Sequence, residues 1–123
     1  MLEFNDVSFV YPPDRVVLQD INFSLNKGEF SLLTGKSGVG KSTLLKLIYF
    51  ALKPTEGYIL FDKYNSLSVK SSEIYQLRRR IGVIFQSFEL LKDRNVQENL
   101  AFIPEVTGVK SKEIKKRVNE ALQ

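Results

Sequence analysis

Eight consecutive residues, Gly35-Lys36-Ser37-Gly38-Val39-Gly40-Lys41-Ser42, satisfy the pattern G-x-x-x-x-G-K-[ST]. The spacing has a chemical reason. Successive backbone N–H groups, those of Lys36, Ser37 and Val39 among them, must converge on an anion. Side chains at Gly35, Gly38 and Gly40 would obstruct that approach or forbid the backbone angles it needs. A helix opening at Lys41 would add the positive end of its dipole. In such a cradle Lys41 bridges the β- and γ-phosphates of a nucleoside triphosphate as a point charge. The Ser42 hydroxyl ligates Mg²⁺, and Thr43 reaches the α-phosphate. A chance match in a chain of this length is on the order of one in a hundred or less at average glycine usage. The competing reading is an ordinary glycine-rich turn that opens a helix. The loop points to nucleotide binding and leaves the reaction open, since kinases, GTPases, motors and transport ATPases share it.

The elements flanking the loop must position it. Residues 30–33 are apolar without alternation between Gly28 and Gly35, the pattern of a strand covered on both faces. Residues 41–51 read as a helix with Leu44, Leu45, Leu47 and Ile48 on a broad apolar face and Pro54 just beyond its end. Upstream, residues 17–25 alternate as a half-buried strand, expected to run antiparallel to 30–34 through the turn Asn26-Lys27-Gly28-Glu29. Residues 2–10 are a further strand whose apolar phase shifts at Asn5-Asp6, which predicts a bulge or break there. Downstream of the loop, Pro54-Thr55-Glu56-Gly57 is a turn by composition, 58–61 a short strand and 62–70 a loop. Ile74, Leu77 and Ile81 mark a short helix, and 81–85 is a second apolar strand. Asn95-Val96-Gln97-Glu98 fits a capping box opening another helix. Ile114, Val118, Ala121 and Leu122 form the apolar face of a last one.

Composition narrows the chemistry. The chain has 123 residues and no Cys or His, which excludes a disulfide framework, a Cys/His zinc site, a thiol nucleophile and a histidine base. A net charge of +4 is too small to argue for nucleic acid, and no nucleic-acid partner is expected. It tilts toward an anionic ligand. The most apolar run, 44–52, is broken by Lys46 and is about half the ~20 residues that span a bilayer. The first residues lack a secretory pattern, so the sequence points to the cytoplasm. Arg78, Arg79 and Arg80, and the run Lys110, Lys112, Lys115, Lys116 and Arg117, read as solvated helix faces, with an anionic leaflet as the minority alternative.

Val7-Ser8-Phe9-Val10-Tyr11, the phosphate loop, and Gly82-Val83-Ile84-Phe85-Gln86 together resemble the N-terminal half of an ABC-transporter-type ATP-binding domain. The resemblance covers essentially residues 1–123. It implies an α/β P-loop NTPase fold of the ABC ATPase type, with an antiparallel β subdomain and part of a parallel-sheet core. It also implies ATP and Mg²⁺ as ligands, with adenine stacked on Tyr11 and Gln86 touching the metal and the attacking water. Without the resemblance, Tyr11 would be a strand-end aromatic packed on Pro12 and Pro13, and Gln86 simply the end of a strand. The family pairs two nucleotide sites in a homodimer and sits peripherally on the inner face of the cell membrane. It grips a polytopic membrane subunit through the surface near Phe88, Leu90 and Leu91. The stretches 33–48 and 90–99 are most similar to the ABC ATPases of bacterial cell division. Lipoprotein-release and macrolide-export ATPases share the Phe-Gln strand and the leucines after it, but Asp93-Arg94 is less typical of them.

The family pattern also has a Walker B strand ending in Asp-Glu, an LSGGQ-type signature and a switch histidine, and none of these occurs in the sequence. The resemblance therefore implies a portion of a longer ATPase that binds nucleotide without the residues for turnover. The family's later strands lie between the phosphate-loop strand and the glutamine strand. Residues 30–33 and 81–85 are accordingly expected to present apolar faces and unpaired edges, which leaves the chain alone marginally stable. Two other functions compete: a P-loop kinase, for which the three arginines are the only lid candidates, and a non-catalytic nucleotide-binding or scaffold module.

Overall fold

Leu2 and Phe4, then Val7 and Phe9, are the buried apolar residues of strand β1 (Leu2–Tyr11). The first pair is even-numbered and the second odd, so an unbroken strand would turn one pair to water. The computed structural model, which describes residues 1–123, places a bulge where the phase changes. The register against the neighbouring strand shifts between Phe4 and Val7, and Asp6 takes φ +49°. Asn22 answers the disturbed ladder: its Oδ1 accepts from the Asp6 N–H at 2.9 Å and its Nδ2 donates to Asp6 Oδ1 at 3.0 Å. Gly57, at φ +69°, faces the bulge so closely that a Cβ would lie 2.2 Å from the Asp6 carbonyl oxygen and 2.3 Å from that of Asn5.

The chain divides into two units, Met1–Gly82 and Val83–Gln123. In the first, β2 (Arg15–Leu25), β1, β3 (Glu56–Phe61) and β4 (Tyr64–Asn65) form an antiparallel sheet in the order β2-β1-β3-β4. The expected partner of β2 is corrected here. It pairs with β1, Tyr11 opposite Arg15, and not with residues 30–34. The turn 26–29 does form, since the Glu29 N–H donates to the Asn26 carbonyl at 3.2 Å. The Glu29 carboxylate accepts from Asn26 N–H at 2.6 Å and from Asn26 Nδ2 at 3.0 Å, and these bonds hold its carboxyl below the usual range. The turn leads out of the sheet, because the tight connection at residues 12–14 has already given β2 its ladder.

One face of the sheet is closed by α1 (Lys41–Ile48) and α2 (Ser71–Arg78). Leu44, Leu47 and Leu77 join Phe4, Val7, Phe9, Leu18, Ile59 and Tyr64 in one core, and Phe4 stacks on Phe23 with ring centroids 4.5 Å apart. Burying side chains of this size contributes about 1.5–3 kcal/mol each. Beyond the C-cap Tyr49 of α1, Phe50 takes φ +54°, which lets the Ala51 N–H reach the Lys46 carbonyl at 2.8 Å. Arg78 then closes that end, donating from Nε to the Tyr49 carbonyl at 3.1 Å and from a terminal nitrogen to that of Phe50 at 3.0 Å. The three arginines are exposed, as expected of a solvated face, but Arg78 also clamps the helix end and Arg80 pairs with Asp62. That hydrogen bond and the guanidinium charge hold the Asp62 carboxyl below its usual range. Both groups are exposed, so the pair adds little stability.

Residues 30–33 and 81–85 are not strands. A strand exists only within a ladder, and neither segment finds a neighbour to share one. Phe30 is 90% and Ile84 97% exposed. The antiparallel subdomain of the expected fold is therefore present, and the two segments expected to belong to a parallel core carry no regular structure and are exposed, apart from Ile81, which packs on the core.

The second unit holds α3 (Val96–Val106) and α4 (Ser111–Ala121). The capping box is as expected: Asn95 Oδ1 accepts from the Glu98 N–H at 2.9 Å, and Glu98 accepts from the Asn95 N–H at 2.8 Å. Ile114 and Val118 are the buried side of α4. On its outer face Glu113–Arg117 and Glu120–Lys116 pair at i,i+4. No helix in the structure is long and apolar enough to cross a membrane.

Candidate phosphate-binding loop

The loop 35–42 ends at Gly40, the N-cap of α1, with φ +107°. Its carbonyl accepts the first helical bond, from the Leu44 N–H at 2.9 Å. The N–H groups of Lys41, Ser42 and Thr43 therefore stand free of intrahelical bonds. No side chain caps them, and the first turn carries no acidic residue. The dipole end is left for an anion from outside. Gly40 also lies against β2: a Cβ there would be 3.0 Å from Leu18 Cδ2, 3.0 Å from Val17 Cγ1 and 3.1 Å from the Val17 carbonyl oxygen. Strand β2 thus buttresses the helix end of the loop. Gly38, at φ +81°, has open space where a Cβ would go, which is the room a cradle needs.

Lys41 folds back over the loop. Its Nζ donates to the carbonyls of Gly35 and Lys36, both at 2.7 Å. An ammonium has three donors, so these two bonds fix the side chain and leave a third donor beyond them. The turn itself is closed by the Val39 N–H on the Lys36 carbonyl at 3.4 Å. Ser37 lies in that turn, and Ser42 is the second residue of α1. Thr43 is buried in its first turn.

Tyr11 comes to the same place. Its hydroxyl is 3.4 Å from Thr43 Oγ1, and its ring meets Phe9 edge-on with centroids 4.8 Å apart. The end of β1 and the first turn of α1 thus bring Tyr11, Lys41, Ser42 and Thr43 together within one unit. Gln86 belongs to the second unit, where it begins the turn 86–89 instead of ending a strand. In that turn the Phe88 N–H donates to the Phe85 carbonyl at 3.1 Å, and Phe88 and Glu89 take φ of +59° and +48°. Phe88 and Leu90 are exposed and Leu91 is half-buried. Sequence reasoning missed Arg78 and Asn99, whose partners are backbone carbonyls that no residue spacing reveals.

An α/β fold with a glycine loop running into a helix N-terminus, and a lysine arched over that loop, defines a phosphate-loop cassette. The chain belongs to the ABC transporter family, whose model matches residues 18–123. It is 44% identical over 122 residues to the cell division ATP-binding protein FtsE of Bacillus subtilis, a match covering 99% of this chain and 54% of that protein. It is 40% identical over 123 residues to the methionine import ATP-binding protein MetN of Helicobacter hepaticus, covering 100% of this chain and 35% of that one. A bacterial ABC transporter cassette solved as a dimer aligns with a TM-score of 0.88 at 31% identity, covering 99% of this chain and 56% of its own. An ATP-binding cassette solved as a dimer in a post-hydrolysis state, bound to ADP and Pi, gives 0.87, also at 31% identity, covering 99% and 56%. The chain spans about half the length of the FtsE relatives it matches.

Proposed function

We propose that residues 1–123 form the nucleotide-holding portion of an ABC ATP-binding subunit. In the intact protein, a homodimer hydrolyses MgATP, and its closure is coupled to a polytopic, FtsX-like membrane subunit in bacterial cell division. The observation that carries nucleotide binding is the cradle itself: Lys41 fixed by two loop carbonyls above the uncapped N-terminus of α1. Backbone N–H groups of Gly35, Lys36, Ser37, Gly38, Val39 and Gly40 would surround the phosphates, with Lys41 supplying charge at the β- and γ-oxygens. Thr43 would take the α-phosphate and Tyr11 the base.

Mg²⁺ favours hard oxygen ligands, and in the first unit the Ser42 hydroxyl fits that preference; the Gln86 amide oxygen, in the second unit, has the same chemistry. When bound, the ion neutralises charge on the β- and γ-oxygens. The residues named hold and orient; the carboxylate that polarises water in this family is not among residues 1–123. The protein would lie on the inner face of the membrane through its partner, held near Phe88, Leu90 and Leu91. The cell-division role is supported by the Asp93-Arg94 pair and by the FtsE relatives, although MetN relatives have similar identity. A chain that captures an FtsX-like subunit, and no methionine-import permease, meets that expectation.

The test of the cradle is equilibrium binding of a fluorescent ATP analogue with and without Mg²⁺, beside Lys41→Ala and a phosphate-release assay. Affinity is expected to fall at least about tenfold in Lys41→Ala, as for loss of a charge-assisted phosphate contact, with no release by either chain. Equal binding by both would remove the phosphate loop from the proposal. Measurable release would contradict the absence of a catalytic carboxylate and turn attention to Glu89, Asp93 and Glu98.

A further inference from the structure

Asn99 lies in the second turn of α3 and makes more bonds to backbone than any other side chain in the second unit. Its Oδ1 accepts from the Leu91 N–H at 2.8 Å. The two N–H groups of its Nδ2 are shared among the carbonyls of Leu91 at 3.1 Å, Arg94 at 3.1 Å and Asn95 at 3.0 Å. One half-buried amide thus ties both backbone groups of Leu91 and the end of the following loop to the helix. The only other bond closing this loop onto itself is the Arg94 N–H on the Leu91 carbonyl, at 3.2 Å. An asparagine on a helix is ordinarily neutral or unfavourable, so this one is not there for α3.

The loop so held shapes a groove of ≈ 390 Å³, whose lining includes Leu90, Leu91, Val96 and Leu100, the cations Lys92 and Arg94, and Asn99 itself. The Arg94 guanidinium is steadied 4.9 Å from the centre of the Phe102 ring. The lining is largely apolar and carries two cationic side chains. Apolar side chains with a carboxylate beside them complement it, and an amphipathic helix presents both on adjacent faces.

Resting on the proposed membrane partner, we infer that Asn99 is a positioning residue. It holds loop 90–95 in its docked shape before the partner arrives, and the groove so formed takes an acidic amphipathic helix of the membrane subunit. A preformed loop lowers the ordering cost of association.

Two measurements on the chain test this. In amide hydrogen exchange, the Leu91 N–H is expected to be protected in the wild type and to lose about tenfold or more of that protection in Asn99→Ala. The amides of α3, held by the Asn95–Glu98 box, should keep theirs. Asn99→Asp retains the acceptor for Leu91 but turns an oxygen toward three carbonyls, so it must lose at least as much as alanine. An unprotected Leu91 amide in the wild type, or wild-type protection in either variant, overturns the inference. The second measurement is capture of an FtsX-like subunit in detergent, alongside binding of the fluorescent ATP analogue. Asn99→Ala is expected to weaken capture about tenfold with nucleotide affinity unchanged, and Lys92→Glu with Arg94→Glu to weaken it as well. Loss of both activities in Asn99→Ala would assign it a folding role, and full capture by the Lys92 and Arg94 pair variant would remove the acidic helix. If Leu90→Asp with Leu91→Asp leaves capture unchanged, or the wild type captures nothing, the docking reading falls and takes the inference with it. If that pair abolishes capture and Asn99→Ala does not, docking stands and the role of Asn99 alone is refuted.

Discussion

Replacing Gly40 by alanine should damage the chain far more than the same change at Gly38, two residues away in the same loop. Gly38 sits at φ +81° with nothing within 4 Å of the position a methyl would take, so Gly38→Ala meets only the left-handed backbone penalty of about 1–2 kcal/mol. Gly40 sits at φ +107°, beyond the small left-handed well that L-residues use, which costs on the order of 1–3 kcal/mol. Its added methyl would also press on Leu18 and Val17. Those side chains can shift, and the Val17 carbonyl oxygen at 3.1 Å must also give by a few tenths of an ångström, at the point where the register of β2 against β1 shifts between Leu18 and Val16. We expect about 3 kcal/mol or more in total for Gly40→Ala, roughly ten degrees of melting temperature for a domain of this size. Because Gly40 is also the cap that presents the free N–H groups, affinity for the ATP analogue should fall with it. Thermal unfolding of the two variants against wild type, with and without the analogue, decides. Gly38→Ala melting as low as Gly40→Ala would mean that backbone angle alone governs the loop, and the buttress from β2 would have no part in it.

Two further outcomes follow from the first unit. Gly57→Ala would place a methyl 2.2 Å from the Asp6 carbonyl oxygen, so the β1 bulge and the β3 register must give way; a loss above about 4 kcal/mol, or failure to fold, is expected in thermal or urea unfolding. A variant within about 1 kcal/mol of wild type would contradict this pairing. Arg78→Ala removes two charge-assisted bonds at the C-terminus of α1 and should cost about 1–2 kcal/mol. Arg78→Lys should recover little, because the two bonds come from separate nitrogens of one planar guanidinium, Nε to Tyr49 and a terminal nitrogen to Phe50, a geometry that a lysine side chain does not reproduce.

How much of this was legible in the sequence depends on where each partner lies. The bulge was readable because the change from Leu2 and Phe4 to Val7 and Phe9 is a change of parity within one strand. The Asn95–Glu98 box was readable for the same reason: donor and acceptor are three residues apart. Gly57 looked like a turn glycine by composition, and its real constraint, the carbonyl of Asp6, lies 51 positions away in the numbering. Arg78 and Asn99 were opaque on the same ground, since both act on carbonyls, which every residue type carries. Residues 30–33 and 81–85 show the opposite failure. Apolar runs report that a segment needs cover, and say nothing of which strand supplies its ladder.

That difference bears on what Lys41 does. The helix end of the phosphate loop is held by packing, with Gly40 against β2. The other end follows residues 30–34, which share no ladder with a neighbour, so its fixed points are the two bonds from Lys41 to the carbonyls of Gly35 and Lys36. The lysine is thus a support of the cradle as well as a charge within it. If Lys41 holds a phosphate as proposed, the affinity lost in Lys41→Ala is expected to combine a missing phosphate contact with a loop no longer tied at its entry, and to exceed what one charge on a preformed surface would supply. A glycine loop of this kind is therefore organised from both sides by groups outside its glycines: a strand backbone at the exit and its own lysine at the entrance.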